Sequence, residues 1–258
     1  TSAKEDEILF TEENTLSRVG VQVSQYLEYA FISSNTTDGS EVYWTSLKDE
    51  YLAFKKMKSN AKDVKYFVSY VQGYFYVFTN ESAQNGKLIR VKPQDVEQNQ
   101  WETVIPHQED ITLETYEVFK DYLVYQERED AQSRIVVRNL KTGKAHRIKV
   151  KEEYYDISIG SNPEENTDSL EFVYSSFKTP SQTIRYNMAT KKSHVTYMDS
   201  LKNFSGLGAL KVKRIYAPAA DGTLIPITLV YHSFRYWKKG KNNKLWLTSY
   251  GAYGNGQS

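Results

Sequence analysis

The sequence predicts a mainly β protein: a partial β-propeller of about four blades plus a leftover strand, followed by the first strands of an α/β domain. Three observations predict it. Four apolar strand markers, Val42, Ile89, Val136 and Ile184, recur at intervals of 47, 47 and 48 residues. A second marker, the tyrosine- or leucine-led strands at 29–33, 74–78, 122–126 and 170–174, returns at intervals of 45, 48 and 48. The chain also carries 21 tyrosines against three methionines, and tyrosine suits a pleated, half-buried surface.

The elements follow in order. Ile8-Leu9-Phe10-Thr11 reads as the strand left over from a preceding blade. Val21-Gln22-Val23 and Ile157-Ser158-Ile159 alternate apolar with polar or small residues and open their units. The two markers supply the next two strands, separated by polar turns. Asp38-Gly39, Asn85-Gly86 and Thr142-Gly143 provide sites where a positive φ is cheap. Outer strands close the units, as in Trp101-Glu102-Thr103-Val104-Ile105 and Ala145-His146-Arg147-Ile148-Lys149-Val150. Four short antiparallel strands in a unit of about 45 residues are the signature of a propeller blade. A β-sandwich could hold as many strands, but would not repeat this evenly.

The repeat stops at Asn203-Phe204-Ser205-Gly206-Leu207-Gly208, which reads as a linker. The predicted domains are therefore 1–205, the partial propeller, and 206–258. The second begins with longer strands at 209–216 and 223–231, joined by the hairpin signal Asp221-Gly222. Pro226 suggests an edge or a bulge. A third strand is expected at 244–249, after the solvated basic run Lys238-Lys239-Gly240-Lys241-Asn242-Asn243. Three strands that run into a glycine-rich loop would open an α/β-hydrolase sheet.

Composition excludes several classes. The net charge of +1 gives no electrostatic footprint for nucleic acid or an anionic membrane. No apolar run approaches the roughly 20 residues that span a bilayer, and the first residues carry no signal-peptide core. With no cysteine, disulfides and thiolate metal sites are excluded, which fits a cytoplasmic setting. No metal-binding motif, P-loop or dinucleotide fingerprint is present, so no cofactor is expected. Glu152-Glu153 and Glu164-Glu165 read as solvated turn carboxylates.

Several segments resemble one family. They include Trp101-Glu102-Thr103-Val104-Ile105-Pro106, Leu123-Val124-Tyr125-Gln126-Glu127-Arg128 and Tyr174-Ser175-Ser176-Phe177-Lys178-Thr179-Pro180. In the second domain they are Asp221-Gly222-Thr223-Leu224-Ile225-Pro226, continuing to Leu229-Val230-Tyr231-His232, and Tyr250-Gly251-Ala252-Tyr253-Gly254. The chain resembles the prolyl oligopeptidase family of serine peptidases, most of all its oligopeptidase B branch. The resemblance implies a seven-bladed propeller capping an α/β-hydrolase domain, oligopeptide substrates and, for that branch, cleavage after Arg or Lys.

It also implies a role for Tyr250, matching the tyrosine whose hydroxyl donates to the oxyanion in this family. A phenol fixed in a dry site stabilises charge that develops only in the tetrahedral intermediate. Without the resemblance, Tyr250 would read as an aromatic closing a core strand. Here it follows Thr248-Ser249, where the family usually has Tyr-Gly.

No G-x-S-x-G nucleophile elbow occurs. His107, His146, His194 and His232 lie in loop or strand contexts that suggest no catalytic base. The resemblance places the Ser, Asp and His of the triad beyond residue 258, so this chain alone is expected to be inactive. Two other classes stay open: a non-catalytic propeller that binds peptides or proteins, and a weakly active prolyl-endopeptidase-like protein, whose Tyr-Gly-Ala-Tyr-Gly spelling is similar.

Overall fold

The computed structural model describes residues 7–37, 39–57, 63–201, 206–232 and 244–250. Among them are eighteen β-strands, two short 3-10 turns and no α-helix. Sixteen strands form four antiparallel sheets, each a meander of four strands consecutive in sequence. The first contains β1 (Arg18–Val23), β2 (Tyr29–Asn35), β3 (Ser40–Ser46) and β4 (Lys55–Lys56). The second contains β5 (Tyr66–Val71), β6 (Tyr74–Thr79), β7 (Lys87–Val91) and β8 (Glu102–Ile105). The third contains β9 (Ile111–Val118), β10 (Tyr122–Glu129), β11 (Gln132–Asn139) and β12 (Ala145–Arg147). The fourth contains β13 (Tyr155–Ile159), β14 (Ser169–Ser176), β15 (Gln182–Asn187) and β16 (Ser193–Met198).

These are the four blades of a partial propeller. The tyrosine- or leucine-led marker falls on the second strand of every sheet, and Val42, Ile89, Val136 and Ile184 fall on the third. The repeat extends to an irregularity. The register slips between Leu88 and Ile89 in β7 and between Thr183 and Ile184 in β15, the same place in the second and fourth sheets. A bulge increases local twist, so the two blades share a bend as well as a strand order.

Two compact units emerge, Thr1–Leu113 and Glu114–Ser258. In the first, Phe75 of β6 is fully buried. Its ring lies 5.0 Å from Tyr29 and from Trp44 and 5.5 Å from Phe31, in edge-on arrangements that suit aromatic quadrupoles. The side chains come from both sheets, so this core joins the first two blades. In the second unit, alternation does the same. Leu170, Phe172 and Tyr174, at every second position of β14, are buried against Val124 and Val137 of the third sheet.

Turn chemistry fixes the meanders. Gly86 has φ +80, and a Cβ there would stand 2.9 Å from the Phe78 ring, so both conformation and space require glycine. Gly39 does not take a positive φ; its role is close approach, because a Cβ would meet the Val64 carbonyl at 3.1 Å. Asp38 lies outside the described residues. Two tight turns were not legible in advance: Gln72-Gly73 between β5 and β6, and Asp130-Ala131 between β10 and β11, each with both residues at positive φ. Such turns match the right-handed twist of a hairpin.

After the fourth sheet, β17 (Leu210–Pro218) and β18 (Leu224–His232) form a two-stranded antiparallel hairpin. Gly222 takes φ +86 in its turn, and Pro226 faces Tyr216 across the ladder. Residues 203–205 of the expected linker and the basic run at 238–243 lie outside the described residues, whereas Gly206 to Gly208 of the linker lead into a 3-10 turn (Leu207–Ala209).

Two expected strands do not form. Residues 8–11 are irregular, and Ile8 is 82% exposed, although Phe10 packs against Tyr43 with ring centroids 4.9 Å apart. Residues 244–249 are irregular too, with Trp246 89% exposed. Both are apolar enough for a strand. A strand, however, needs a neighbour for its backbone N–H and C=O groups, and neither segment pairs with any sheet among the described residues.

Candidate functional site

Tyr250 stands at the end of that irregular segment with about half its surface exposed. The following residues, 251–254 of the Tyr-Gly-Ala-Tyr-Gly motif, lie outside the described residues. The four histidines sit where the sequence put them: His146 on β12, His194 on β16, His232 at the end of β18, and His107 in the loop after Pro106. Among the described residues no three His, Cys, Asp or Glu side chains come together to hold a metal ion, and no helix is long and apolar enough to cross a membrane.

The hairpin is tied to the blades of its own unit by one cluster. Arg214 on β17 donates through Nη1 to the backbone carbonyl of Asp130 at 3.0 Å and through Nη2 to Thr228 Oγ1 at 3.2 Å. Its guanidinium lies 5.0 Å from the Tyr154 ring centroid. The Tyr216 hydroxyl donates to Asp130 Oδ2, which raises the Tyr216 pKa because the hydrogen bond and then burial favour the neutral phenol. A planar guanidinium that stacks and donates at once is a task for Arg rather than Lys. Asp130 lies at the tip of the tight turn between β10 and β11.

A polar network stiffens the inner strands of the same unit. Glu114 of β9 is ion-paired with Arg128 and accepts from Ser133 Oγ at 2.9 Å and Gln126 Nε2 at 2.7 Å. Gln126 Oε1 accepts from the Ile159 amide, and Gln132 donates to the Tyr155 carbonyl, so β10 and β11 are stitched to β13. Glu117, on the same β9 strand, differs. Its Oε2 is buried without a partner, and burial pushes its pKa up to about 7 against a weaker opposing hydrogen bond from Asn162.

Between the outer parts of the third and fourth sheets lies a cavity of about 640 Å³. On one wall His146 meets the Tyr186 hydroxyl at 2.7 Å from Nε2. Burial and then the charge of Lys191 lower the His146 pKa. Glu152 lines the cavity and accepts from Tyr174 and, at 2.8 Å, from Thr179 Oγ1. Burial works to raise its pKa, but these hydrogen bonds outweigh it and hold the carboxylate below its usual value. Glu152 is therefore a structural acceptor, not the free turn carboxylate expected. Glu165 likewise departs from a solvated group, its pKa raised by burial and then by Glu164. Neither the Arg214 cluster nor the cavity was visible in sequence.

The model of the family domain described as "Prolyl oligopeptidase, N-terminal beta-propeller domain" matches residues 1–198, the four blades. The chain belongs to the prolyl oligopeptidase family. Among curated relatives, dipeptidyl aminopeptidase BI of Pseudoxanthomonas mexicana is 27% identical over 98% of this chain and 35% of its own length. Prolyl endopeptidase of Elizabethkingia meningoseptica is 25% identical over 98% of this chain and 35% of its own length. The chain thus spans about a third of the length of the curated relatives it matches. Among solved structures, oligopeptidase B from Trypanosoma brucei superposes with a TM-score of 0.82 at 22% identity, over 91% of this chain and 35% of that one. Oligopeptidase B from Leishmania major gives 0.80 at 22% identity, over 90% and 34%. At that identity the likeness is one of fold, and it agrees with the propeller blades read from the repeat.

Proposed function

We propose that the protein carrying this chain is a serine-type oligopeptidase that hydrolyses short peptides after Arg or Lys through an acyl-enzyme. The observation that carries the reading is the match of the family propeller over 1–198, continued by a hairpin and the Tyr250-Gly251-Ala252-Tyr253-Gly254 motif. In this reading residues 1–205 are propeller and 206–258 lead into an α/β-hydrolase domain. Tyr250 donates to the oxyanion, a Ser-His-Asp triad outside this chain performs the acyl transfer, and the 258 residues alone are inactive. The propeller limits access, so that short peptides enter and folded proteins do not. The cysteine-free composition supports a cytoplasmic setting.

Fluorogenic peptides differing only at the cleaved residue test the specificity. The intact protein is expected to prefer Arg and Lys. A preference for Pro would retain the peptidase and reject the Arg/Lys branch, whereas no hydrolysis of any would favour a propeller that only binds.

A further inference from the structure

The two units fill the space between their blades differently. In the first unit the connection from β7 to β8, residues 92–101, turns through a 3-10 segment and delivers Val96 and Trp101 to the core. In the second, the connection from β15 to β16 is a tight turn closed by Lys191 N–H to the Asn187 carbonyl at 2.8 Å and Asn187 N–H to the Lys192 carbonyl at 2.8 Å. Past Met188, its residues 189–192 are exposed. Of the turn residues 189–192 only Lys191 lines the cavity of about 640 Å³. Its size lies within the range of small-molecule sites, roughly 300–1,000 Å³.

Its lining is divided by chemistry. Ile148, Phe172 and Ile184 give an apolar floor continuous with the core of the unit. Lys149, Lys151 and Lys191 also line it; none is within ion-pair distance of a carboxylate among the described residues, although the charge of Lys151 acts on the neighbouring Glu152. The one cavity carboxylate, Glu152, is occupied by Tyr174 and Thr179, and Arg147 is spent on Glu127 and Glu129. Three cations around an unfilled apolar hollow, in a chain whose net charge is only +1, concentrate positive potential at one place.

We propose that this cavity binds a small organic anion, its apolar body on Ile148, Phe172 and Ile184 and its carboxylate or phosphate among the ammonium groups of Lys149, Lys151 and Lys191. The assignment goes beyond the peptidase reading and does not depend on it.

Titration of the intact protein with 8-anilino-1-naphthalenesulfonate, an aromatic anion, tests it. Saturable binding at one site is expected. Lys149→Glu/Lys191→Glu should weaken it about tenfold or more with an unchanged circular dichroism melt, since both side chains are exposed. Ile184→Trp should weaken it as well, by filling the hollow without altering charge. Displacement by phenyl phosphate or by hippurate would identify the phosphate or the carboxylate as the preferred head group. Unchanged affinity in both variants, or displacement by neither competitor, would overturn the assignment.

Discussion

The hydroxyl of Tyr216 donates to Oδ2 of Asp130 at 3.0 Å, joining β17 to the tight turn between β10 and β11. Arg214, two residues earlier on the same face of β17, donates to the carbonyl of that same aspartate. One turn residue thus anchors two side chains of the hairpin, one through its side chain and one through its backbone.

This arrangement predicts an order of effects. Arg214→Ala removes the donor to Asp130, the donor to Thr228 and the stacking on Tyr154, so it should lower the melting temperature more than Tyr216→Phe. Arg214→Lys should restore only part of the loss, because an ammonium cannot donate in a planar fork. Thermal unfolding of the intact variants checks the ranking; equal melts for Arg214→Ala and Arg214→Lys would count against the stacked, forked geometry.

The turn itself carries strain. Ala131 sits at φ +54, a left-handed conformation that costs an L-residue about 1–2 kcal/mol. Ala131→Gly should therefore stabilise the protein by about 1 kcal/mol after glycine's greater freedom in the unfolded chain is counted. Denaturant titration should show a higher midpoint with an unchanged slope.

Phe75 is the centre of the first unit's core, fully buried with four aromatic rings within 5.7 Å of it. Truncation to alanine leaves a cavity among stiff neighbours that cannot collapse. Phe75→Ala should cost about 3–5 kcal/mol, read from denaturant unfolding. A loss of under 1 kcal/mol would mean that the rings are not packed as described.

Glu117 makes stability depend on pH. Its folded pKa of about 7 lies above the ordinary 4.5, so between those values the folded protein holds a proton that the unfolded chain has released. Stability must fall as pH rises through that window. Glu117→Gln should remove the slope and stabilise the protein at pH 8 by on the order of 1–2 kcal/mol, discounted for its partial exposure. Melts at pH 5 and pH 8 compare the two; a variant no more stable than the parent at pH 8 would reject the buried, unpaired carboxylate.

The blades were legible because each is local. Strand alternation, a period near 47 and glycine at Asn85-Gly86, Thr142-Gly143 and Asp221-Gly222 are all written within a few dozen residues, and each reappears in the structure. Ile8 and Trp246 show the limit of that reading. Their segments have strand composition, but pairing is a property of a neighbour, which composition does not contain. The Asp130 anchor was hidden for two reasons: Asp-Ala lacks the usual glycine of a tight hairpin, and its partners lie more than eighty residues away. The cavity was hidden because its lining is drawn from residues 146–152, 172–186 and 191–193, which come together only in the folded chain. Glu152 was misread as solvated because its two donors come from β14 and the turn after it.

Reaction of the intact protein with a fluorophosphonate probe tests the central claim most directly. The peptidase reading predicts one covalent adduct on a serine outside this chain, formed at a rate that Tyr250→Phe lowers on the order of 10²–10³-fold. A folded protein that takes no label, or a Tyr250→Phe variant that labels and hydrolyses peptides as fast as the parent, would contradict it.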